Sequence, residues 1–282
     1  MTDPRPGCLY VVGTPLGNLE DISLRAVRIL QAVDLIAAED TRHTGKLLQH
    51  FQITTPQISY HHHNRQERLG ELLDHLQHQH QAVALVSDAG MPGISDPGQE
   101  LIAACIQAGV QVVPIPGPTA AITALCGSGL ASDRFVFEGF LPTKGTARRD
   151  RLMALQREER TLILYEAPHR LVKTLTDLGD CLGQDRSITL GRELTKRFEE
   201  FWRGTLATAL DHYHHQTPKG EFTLVIEGAP RSSLSMSESA LQEEIARLLN
   251  QGLSRTEISR QLAQLTGQSR QVIYQLSLAI EP

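Results

Sequence analysis

The 282 residues include only four cysteines, Cys8, Cys105, Cys126 and Cys181, and no two of them form a C-x-x-C pair. This excludes a disulfide framework and favours buried free thiols in a reducing cytoplasm. No apolar run approaches the length that a bilayer requires, and the first six residues do not follow the plan of a signal peptide. We therefore expect a cytoplasmic protein that does not associate with a membrane.

Three familiar catalytic signatures are also missing. The chain has no G-x-S-x-G nucleophile elbow, no G-x-x-x-x-G-K-[ST] phosphate loop and no G-x-G-x-x-G dinucleotide fingerprint. Twelve histidines are present, but no carboxylate or cysteine stands at a spacing that would complete a set of zinc ligands with them. No metal is therefore expected. A formal net charge of −5 argues against general coating of a polyanion, although it leaves room for a local basic groove.

Apolar runs alternate with amphipathic segments from the first strand onward. Buried runs such as residues 8–12 and 82–86 predict an α/β fold with a doubly wound, mostly parallel sheet in the N-terminal part. A proline-rich stretch at residues 114–118 predicts the first boundary. The domains expected are an N-terminal α/β domain (1–116), a second α/β domain with a mixed sheet (117–229) and a small helical tail (237–282).

The loop from Ser87 to Gly98 is unusually long for a connection between a strand and a helix, with three glycines, two prolines and two aspartates. It follows a strand that a parallel sheet would bury, which is where open α/β sheets bind ligands. By itself the loop fits a ligand site and an ordinary connection equally well. Asp96 is predicted to be the N-cap of the next helix, with Pro97 as its first residue and Gln99 as the capping partner.

Six polar or glycine-rich loops follow predicted strands. Because the carboxyl ends of parallel strands meet at one edge, the first four loops are expected to converge, and the last two to face them from the second domain. This arrangement predicts a cleft between the domains, which is a favoured place for a small-molecule site. The loops span residues 13–18, 39–42, 87–98, 116–120, 165–170 and 191–196.

In this order the loops resemble one family. Gly-Thr-Pro-Leu-Gly-Asn, Ala-Glu-Asp-Thr-Arg, Ser-Asp-Ala-Gly-Met-Pro-Gly-Ile-Ser-Asp-Pro-Gly, Pro-Gly-Pro-Thr-Ala, Tyr-Glu-Ala-Pro-His-Arg and Gly-Arg-Glu-Leu-Thr-Lys are similar to those of bacterial 16S ribosomal RNA cytidine 2′-O-methyltransferases. That family lies within the tetrapyrrole (corrin/porphyrin) methylase superfamily. The resemblance runs from about Leu9 to Glu227, and the tail from 241 to 280 resembles the subgroup's extra helical domain.

The resemblance implies a cleft that binds S-adenosylmethionine. The sequence departs from the tetrapyrrole branch, which has a glycine-rich first loop and a G-G-D-P-type loop where Ser87-Asp88-Ala89-Gly90 stands here. This departure moves the expected substrate away from tetrapyrroles. The cofactor-binding residues carried over by motif are Pro15, Leu16, Asp88, Gly90, Gly93, Ile94, Ser95, Thr119, Ala120 and Tyr165.

Methylation of a ribose hydroxyl calls for a base, or for a cation that stabilises the alkoxide. Glu39, Asp40 and Glu166 are candidates, and we favour Glu193 and Lys196 as the catalytic pair. The charged residues could equally form ion pairs that only line the cleft. The arginines predicted to hold RNA are Arg42, Arg148, Arg149, Arg170, Arg192, Arg255, Arg260 and Arg270.

The expected partners are 16S ribosomal RNA or the assembled small ribosomal subunit, together with a second copy of the chain in a homodimer. The helical tail fits a nucleic-acid-binding helix-turn-helix unit and a small packing bundle equally well. Two other functions stay open at this point. One is C-methylation of a tetrapyrrole or precorrin, and the other is a non-catalytic regulator that binds nucleic acid through its tail.

Overall fold

The structure is a computed structural model that describes residues 4–230, 236–266 and 268–280. The chain divides into two compact units. The larger contains residues 1–156 and 160–227, and the smaller contains residues 157–159 and 228–282. Within the described part, no helix is both long enough and apolar enough to cross a membrane.

The N-terminal sheet of the larger unit is entirely parallel, as its continuous buried runs predict. Its five strands lie in the order β3-β2-β4-β1-β5. One apolar cluster forms on each face, around Leu30 and Ile36 on one side and around Leu9 and Leu85 on the other. The strands are β1 (Cys8–Val12), β2 (Leu35–Ala38), β3 (Gln57–Ser59), β4 (Val83–Val86) and β5 (Gln111–Ile115).

Helices cover this sheet and begin at well-formed caps. The side chains of Ser23, Asp40 and Thr119 each accept a backbone N–H in the first turn of α1, α2 and α5, which satisfies donors that a helix start leaves free. The helices are α1 (Leu24–Ala32), α2 (Thr41–His50), α3 (Arg65–Gln77), α4 (Gln99–Gln107) and α5 (Ala120–Ser128), with a short 3-10 helix at Leu19–Asp21.

The second sheet is mixed, as expected. Its order is β6-β7-β10-β8-β9, and only the β6–β7 pair is parallel. Helix α5 packs Ala124 and Leu125 against one face of it. Its strands are β6 (Phe135–Phe140), β7 (Thr161–Glu166), β8 (Ser187–Arg192), β9 (Glu200–Thr205) and β10 (Phe222–Ile226), and its other helices are α6 (Gly145–Leu155), α7 (Pro168–Leu182) and α8 (Leu206–His215).

The smaller unit is a bundle of three helices, in agreement with the predicted helical tail. Leu241, Ile245, Ile258 and Ile273 form its buried centre. The predicted turn at Gly267 and residues 231–235 of the predicted linker lie outside the described residues. The helices are α9 (Glu238–Asn250), α10 (Arg255–Thr266) and α11 (Arg270–Leu278).

The cysteines correspond only partly to the expectation of buried thiols. Cys8 and Cys105 are free and buried, whereas Cys126 is exposed and Cys181 is half-buried. Burial raises the pKa of Cys105 to about 11, so this thiol stays protonated at neutral pH. Cys126 lies in α5, where the apolar run that contains it turns one side to solvent.

Candidate functional site

The loops after β1 and β4 are joined by backbone hydrogen bonds. The Thr14 amide donates to the Gly90 carbonyl at 2.9 Å, and the Gly90 amide donates to the Thr14 carbonyl at 3.0 Å. The Thr14 hydroxyl also donates to the carbonyl of Ser87 at 3.1 Å. The two loops therefore form one wall at the carboxyl edge of the parallel sheet.

The loop after β5 approaches the same wall because both contact positions are glycine. A Cβ atom added to Gly13 would lie 2.7 Å from the Cα of Gly117, and one added to Gly117 would meet the same backbone. Side chains at either position would separate the loops. Three of the four loops predicted to converge at this edge are thus in direct contact.

A cavity of about 400 Å³ opens beside this wall and extends to residues of the second sheet. This volume lies within the usual range of ligand pockets, roughly 300–1,000 Å³. Its lining combines apolar residues, such as Leu16 and Phe140, with Gly90 and the acidic residue Asp96. The predicted residues that line it are Leu16, Gly90, Ile94, Ser95, Thr119, Ala120, Tyr165 and Lys196.

Of the residues predicted to bind the cofactor or to form the catalytic pair, four do not line this cavity: Pro15, Asp88, Gly93 and Glu193. Asp88 instead holds two loops together. Its Oδ1 accepts the amide of Asp40 at 3.2 Å, and its own amide donates to Oε2 of Glu39 at 3.3 Å. Burial and the nearby Asp88 charge raise the pKa of Glu39, while the hydrogen bond from the Asp88 amide opposes them.

The other two carboxylates considered for catalysis are also engaged. Asp40 caps α2 and binds Arg42, with Arg42 Nη2 to Asp40 Oδ2 at 2.7 Å. Glu166 is almost fully buried; it accepts the Thr174 hydroxyl at 2.6 Å and lies 3.2 Å from Nε of Arg170. A carboxylate held in this way has little freedom to accept a proton from a ligand.

Lys196 and Glu193 do come together, and Glu221 joins them. Lys196 Nζ lies 3.0 Å from Glu193 Oε1 and 2.8 Å from Glu221 Oε2. Burial lowers the pKa of Lys196, but hydrogen bonds to both carboxylates outweigh it, and the pKa is raised. Lys196 is therefore a permanent cation at the cavity wall at neutral pH.

Glu193 holds the loop rather than facing the cavity. Its Oε1 accepts the Glu221 amide at 2.9 Å. Burial alone would raise the pKa of Glu193, but the hydrogen bonds from the Glu221 amide and Lys196 lower it. Glu193 therefore stays ionised and is a poor proton acceptor at neutral pH.

The segment that carries Lys196 is strained. Glu193 has a φ of 48° and Thr195 a φ of 65°, and the hydroxyl of Thr195 is buried with no hydrogen-bond partner. A β-branched residue in the left-handed region is rare, and such strain concentrates at functional sites. The fold thus holds Lys196 in place although the backbone conformation of this segment is locally unfavourable in free energy.

Asp96 is the functional candidate that the sequence pattern misassigned. It is not the N-cap of α4, because that helix begins at Gln99 after Gly98, whose φ of 145° is open to glycine alone. Asp96 is instead one of the residues that line the cavity. Burial and the charges of Glu39 and Asp88 raise the pKa of Asp96 to about 7, although the Ser87 hydroxyl opposes the shift.

Aromatic side chains close the side of the cavity formed by the second sheet. Tyr165 lies 4.9 Å from Phe137 and 5.8 Å from Phe140, ring centre to ring centre. Its hydroxyl accepts the Ala121 amide at 3.2 Å. Phe140 is 51% exposed although it is large and apolar, so one aromatic face remains available at the mouth of the cavity.

The predicted RNA-binding arginines separate into two groups. Arg148 is 5% exposed and binds Asp177, the Thr174 hydroxyl and the Pro142 carbonyl, so its prediction as an RNA contact was wrong. Arg170, Arg192 and Arg255 donate to backbone carbonyls of neighbouring segments. The exposed members are Arg42, Arg149, Arg260 and Arg270.

The lining suits a cofactor that combines an adenine ring with polar groups. Leu16 and Ile94 offer apolar surface, and Ser95 and Thr119 are polar residues of the same cavity. Gly90 brings the backbone close without a side chain. No cluster of three or more His, Cys, Asp or Glu side chains within the described ranges could hold a metal ion.

Comparisons with known proteins agree with this geometry. The family model for "Tetrapyrrole (Corrin/Porphyrin) Methylases" matches residues 8–210. The chain is 63% identical over 276 residues to "Ribosomal RNA small subunit methyltransferase I" of Synechocystis sp., covering 98% of this chain and 99% of the relative. It is 46% identical over 282 residues to the protein of the same name from Haemophilus influenzae, covering 99% of each.

A solved structure has the same fold. Uroporphyrin-III C-methyl transferase from Thermus thermophilus, in complex with S-adenosylhomocysteine, superposes with a TM-score of 0.56 at 18% identity. The match covers 77% of this chain and 96% of that one. The chain therefore belongs to the tetrapyrrole (corrin/porphyrin) methylase family, and its cofactor is S-adenosylmethionine.

Proposed function

We propose that this protein transfers a methyl group from S-adenosylmethionine to the ribose 2′-oxygen of a cytidine in the decoding centre of 16S ribosomal RNA, in the cytoplasm. The observation that carries the proposal is the similarity to relatives named as ribosomal RNA small subunit methyltransferases, at 63% and 46% identity over nearly the whole chain. The choice of a cytidine 2′-oxygen rests on the loop motifs.

The proposed division of labour follows the predicted domains. Residues 1–116 and 117–229 hold the cofactor between them, and residues 237–282 contact RNA. The matched relatives cover almost the full chain, including this tail, whereas the family model ends at residue 210. The tail is thus a feature shared with the ribosomal RNA enzymes.

The cofactor wall is proposed to be the joined loops after β1 and β4, together with the start of α5. Leu16, Gly90, Ile94 and Ser95 would contact the cofactor from one side and Thr119, Ala120 and Tyr165 from the other, since all seven line the cavity. Pro15, Asp88 and Gly93 would act by shaping these loops. Asp88 does so through its hydrogen bond to the Asp40 amide.

Lys196 is proposed to stabilise the negative charge that develops on the ribose oxygen. It lines the cavity and carries a positive charge held by Glu193 and Glu221. Fixed charges of this kind stabilise a transition state without reorganisation. Glu193 would then position Lys196 rather than take up a proton.

RNA is proposed to contact the exposed arginines Arg42, Arg149, Arg260 and Arg270. Sequence-specific RNA recognition commonly targets unstacked bases, which stack on aromatic side chains. Phe140, half-exposed at the cavity mouth, provides such a surface. The assembly is proposed to be a homodimer bound to the small ribosomal subunit.

The experiment is methylation of small ribosomal subunits, and of free 16S RNA, from a bacterial strain that lacks its own version of this enzyme. With labelled S-adenosylmethionine, nucleoside mass spectrometry should find one 2′-O-methylcytidine per RNA. Uroporphyrinogen III is the comparison substrate. Methylation of the tetrapyrrole, or of a base instead of a ribose, would overturn the proposal.

A further inference from the structure

The carboxylates around the cavity differ in whether they already have a strong partner. Glu39 accepts the Asp88 amide, and Glu193 and Glu221 bind Lys196. Glu166 accepts a hydrogen bond from the Thr174 hydroxyl and forms an ion pair with Arg170. Asp96 lines the same cavity, and its one described hydrogen-bond partner is the Ser87 hydroxyl. Among the described residues, it is the cavity carboxylate held by neither a cation nor a backbone N–H.

The backbone around Asp96 is fixed in an unusual conformation. Ser95 before it has a φ of 64°, and Pro97 and Gly98 after it are buried. The Pro97 carbonyl accepts the Gly93 amide at 3.3 Å, which closes the turn. Because this turn delays the start of α4, the Asp96 side chain is released from helix capping and placed at the cavity.

A β-bulge in the second sheet packs directly on this turn. The register between β6 and β7 shifts between Phe137 and Gly139, and Gly139 has a φ of 62°. A Cβ at Gly139 would lie 3.0 Å from Oγ of Ser95. Bulges often re-aim side chains near active sites, and the residue after this one, Phe140, lines the same cavity as Asp96.

The electrostatic surroundings favour proton uptake by Asp96. Burial disfavours the ionised form most strongly, and the negative charges of Glu39, Asp88 and Glu221 add to that effect. Tyr165 faces it from β7 as a neutral phenol whose pKa burial raises. Lys196, across the cavity, has its charge already matched by Glu193 and Glu221. The result is a carboxylate that binds a proton readily yet ionises near neutral pH.

We propose that Asp96 is the general base, the residue that accepts the proton of the acceptor hydroxyl during methyl transfer. The hydroxyl oxygen bonds to the methyl carbon while the carbon–sulfur bond breaks, and the electron pair of that bond stays on sulfur. The hydroxyl proton passes to an Asp96 oxygen and then to solvent. This assignment rests on the proposed function, because it needs a hydroxyl as the acceptor.

The test compares wild type with D96N and D96E in single-turnover methylation of small ribosomal subunits between pH 5.5 and 9. The wild-type rate should rise with pH and level off above the Asp96 pKa of about 7. D96N should be slower by about 100-fold or more, the usual contribution of a general base, with a flat pH profile. D96E should restore part of the rate and the pH dependence.

Calorimetric titration with S-adenosylmethionine supplies a readout that is independent of turnover. Its affinity should be unchanged in D96N, and thermal unfolding should show a folded variant. D185N, which removes an exposed carboxylate between α7 and β8 that does not line the cavity, is the matched control and should behave as wild type. An unchanged rate in D96N, or a loss confined to cofactor affinity, would overturn the role of Asp96. A wild type that does not methylate a ribose would instead refute the proposed function.

Discussion

Gly13 and Gly117 lie so close that a Cβ on the first would be 2.7 Å from the Cα of the second. Gly117→Ala should therefore push the loops after β1 and β5 apart. We expect a loss of about 1–3 kcal/mol in the free energy of unfolding, as in overpacked cores, together with weaker binding of S-adenosylmethionine. Urea denaturation and calorimetric titration measure the two effects.

The matched control for that substitution is Gly70→Ala. Gly70 lies inside α3, and an added Cβ would meet no atom within 4 Å. Alanine is the better helix former, so stability should rise by about 0.5–1 kcal/mol with no change in cofactor affinity. Equal effects of the two substitutions would refute the close-approach explanation.

Lys196→Ala and Glu193→Ala should each reduce turnover while cofactor affinity is retained. The first removes the positive charge at the cavity wall, and the second releases it from one of its two carboxylates. We expect the larger fall, about 100-fold, for Lys196→Ala, comparable to the loss of one oxyanion-stabilising donor. Steady-state kinetics on RNA and calorimetry provide the comparison. Wild-type turnover in both variants would remove the pair from catalysis.

The raised pKa of Asp96 predicts a pH dependence of stability. The folded value is about 7 against a reference value of 3.8, so the native state binds more protons between these limits. Its contribution to stability is complete below pH 3.8 and is lost as the pH rises to about 7. The melting temperature of D96N relative to that of wild type should therefore increase between pH 5 and pH 8. A difference in melting temperature that is constant with pH would contradict the shift.

Neighbouring arginines on α6 should have different roles. Arg148→Ala leaves Asp177 without its buried partner, and a loss of about 1–3 kcal/mol is typical when a charged group loses its hydrogen-bond partner. Arg149 is exposed, so Arg149→Ala should leave stability unchanged and weaken RNA binding. If it contacts a phosphate, the salt dependence of binding should decrease by about one unit of slope.

Phe140→Ala should weaken RNA binding by about 1–3 kcal/mol, the usual value of one stacked base. Phe140→Trp keeps an aromatic face and should bind at least as well as wild type. Filter binding with 16S RNA and calorimetry with the cofactor separate the two ligands. A loss of cofactor affinity alone would place Phe140 in the cofactor site instead.

The sequence was most informative where burial is continuous. Runs such as Val83–Val86 can be buried on both faces only in a sheet covered by helices, so the parallel sheet follows from the pattern. Local signals were weaker at the site. The Asp96-Pro97 pair has the form of a helix start, yet the φ of Gly98 and the contact between Gly139 and Ser95 delay the helix. The approach of Gly139 comes from a distant segment of the chain and leaves no mark on a short motif.

For a similar reason, the sequence could not distinguish the arginines that are buried from those that are exposed. Arg148 and Arg149 are adjacent and have the same composition around them, but α6 turns one inward and the other outward. The cysteines illustrate the same limit, since Cys105 is buried and Cys126 is exposed although both lie in apolar helices. Which side of a helix is covered depends on the elements that pack against it.

The paired hydrogen bonds between Thr14 and Gly90 make the first and third loops one mechanical element. Neither loop can swing away from the cavity without breaking both bonds, so the wall opens as a unit or stays shut. A substitution that displaces one of the two loops is therefore transmitted to the other through the main chain.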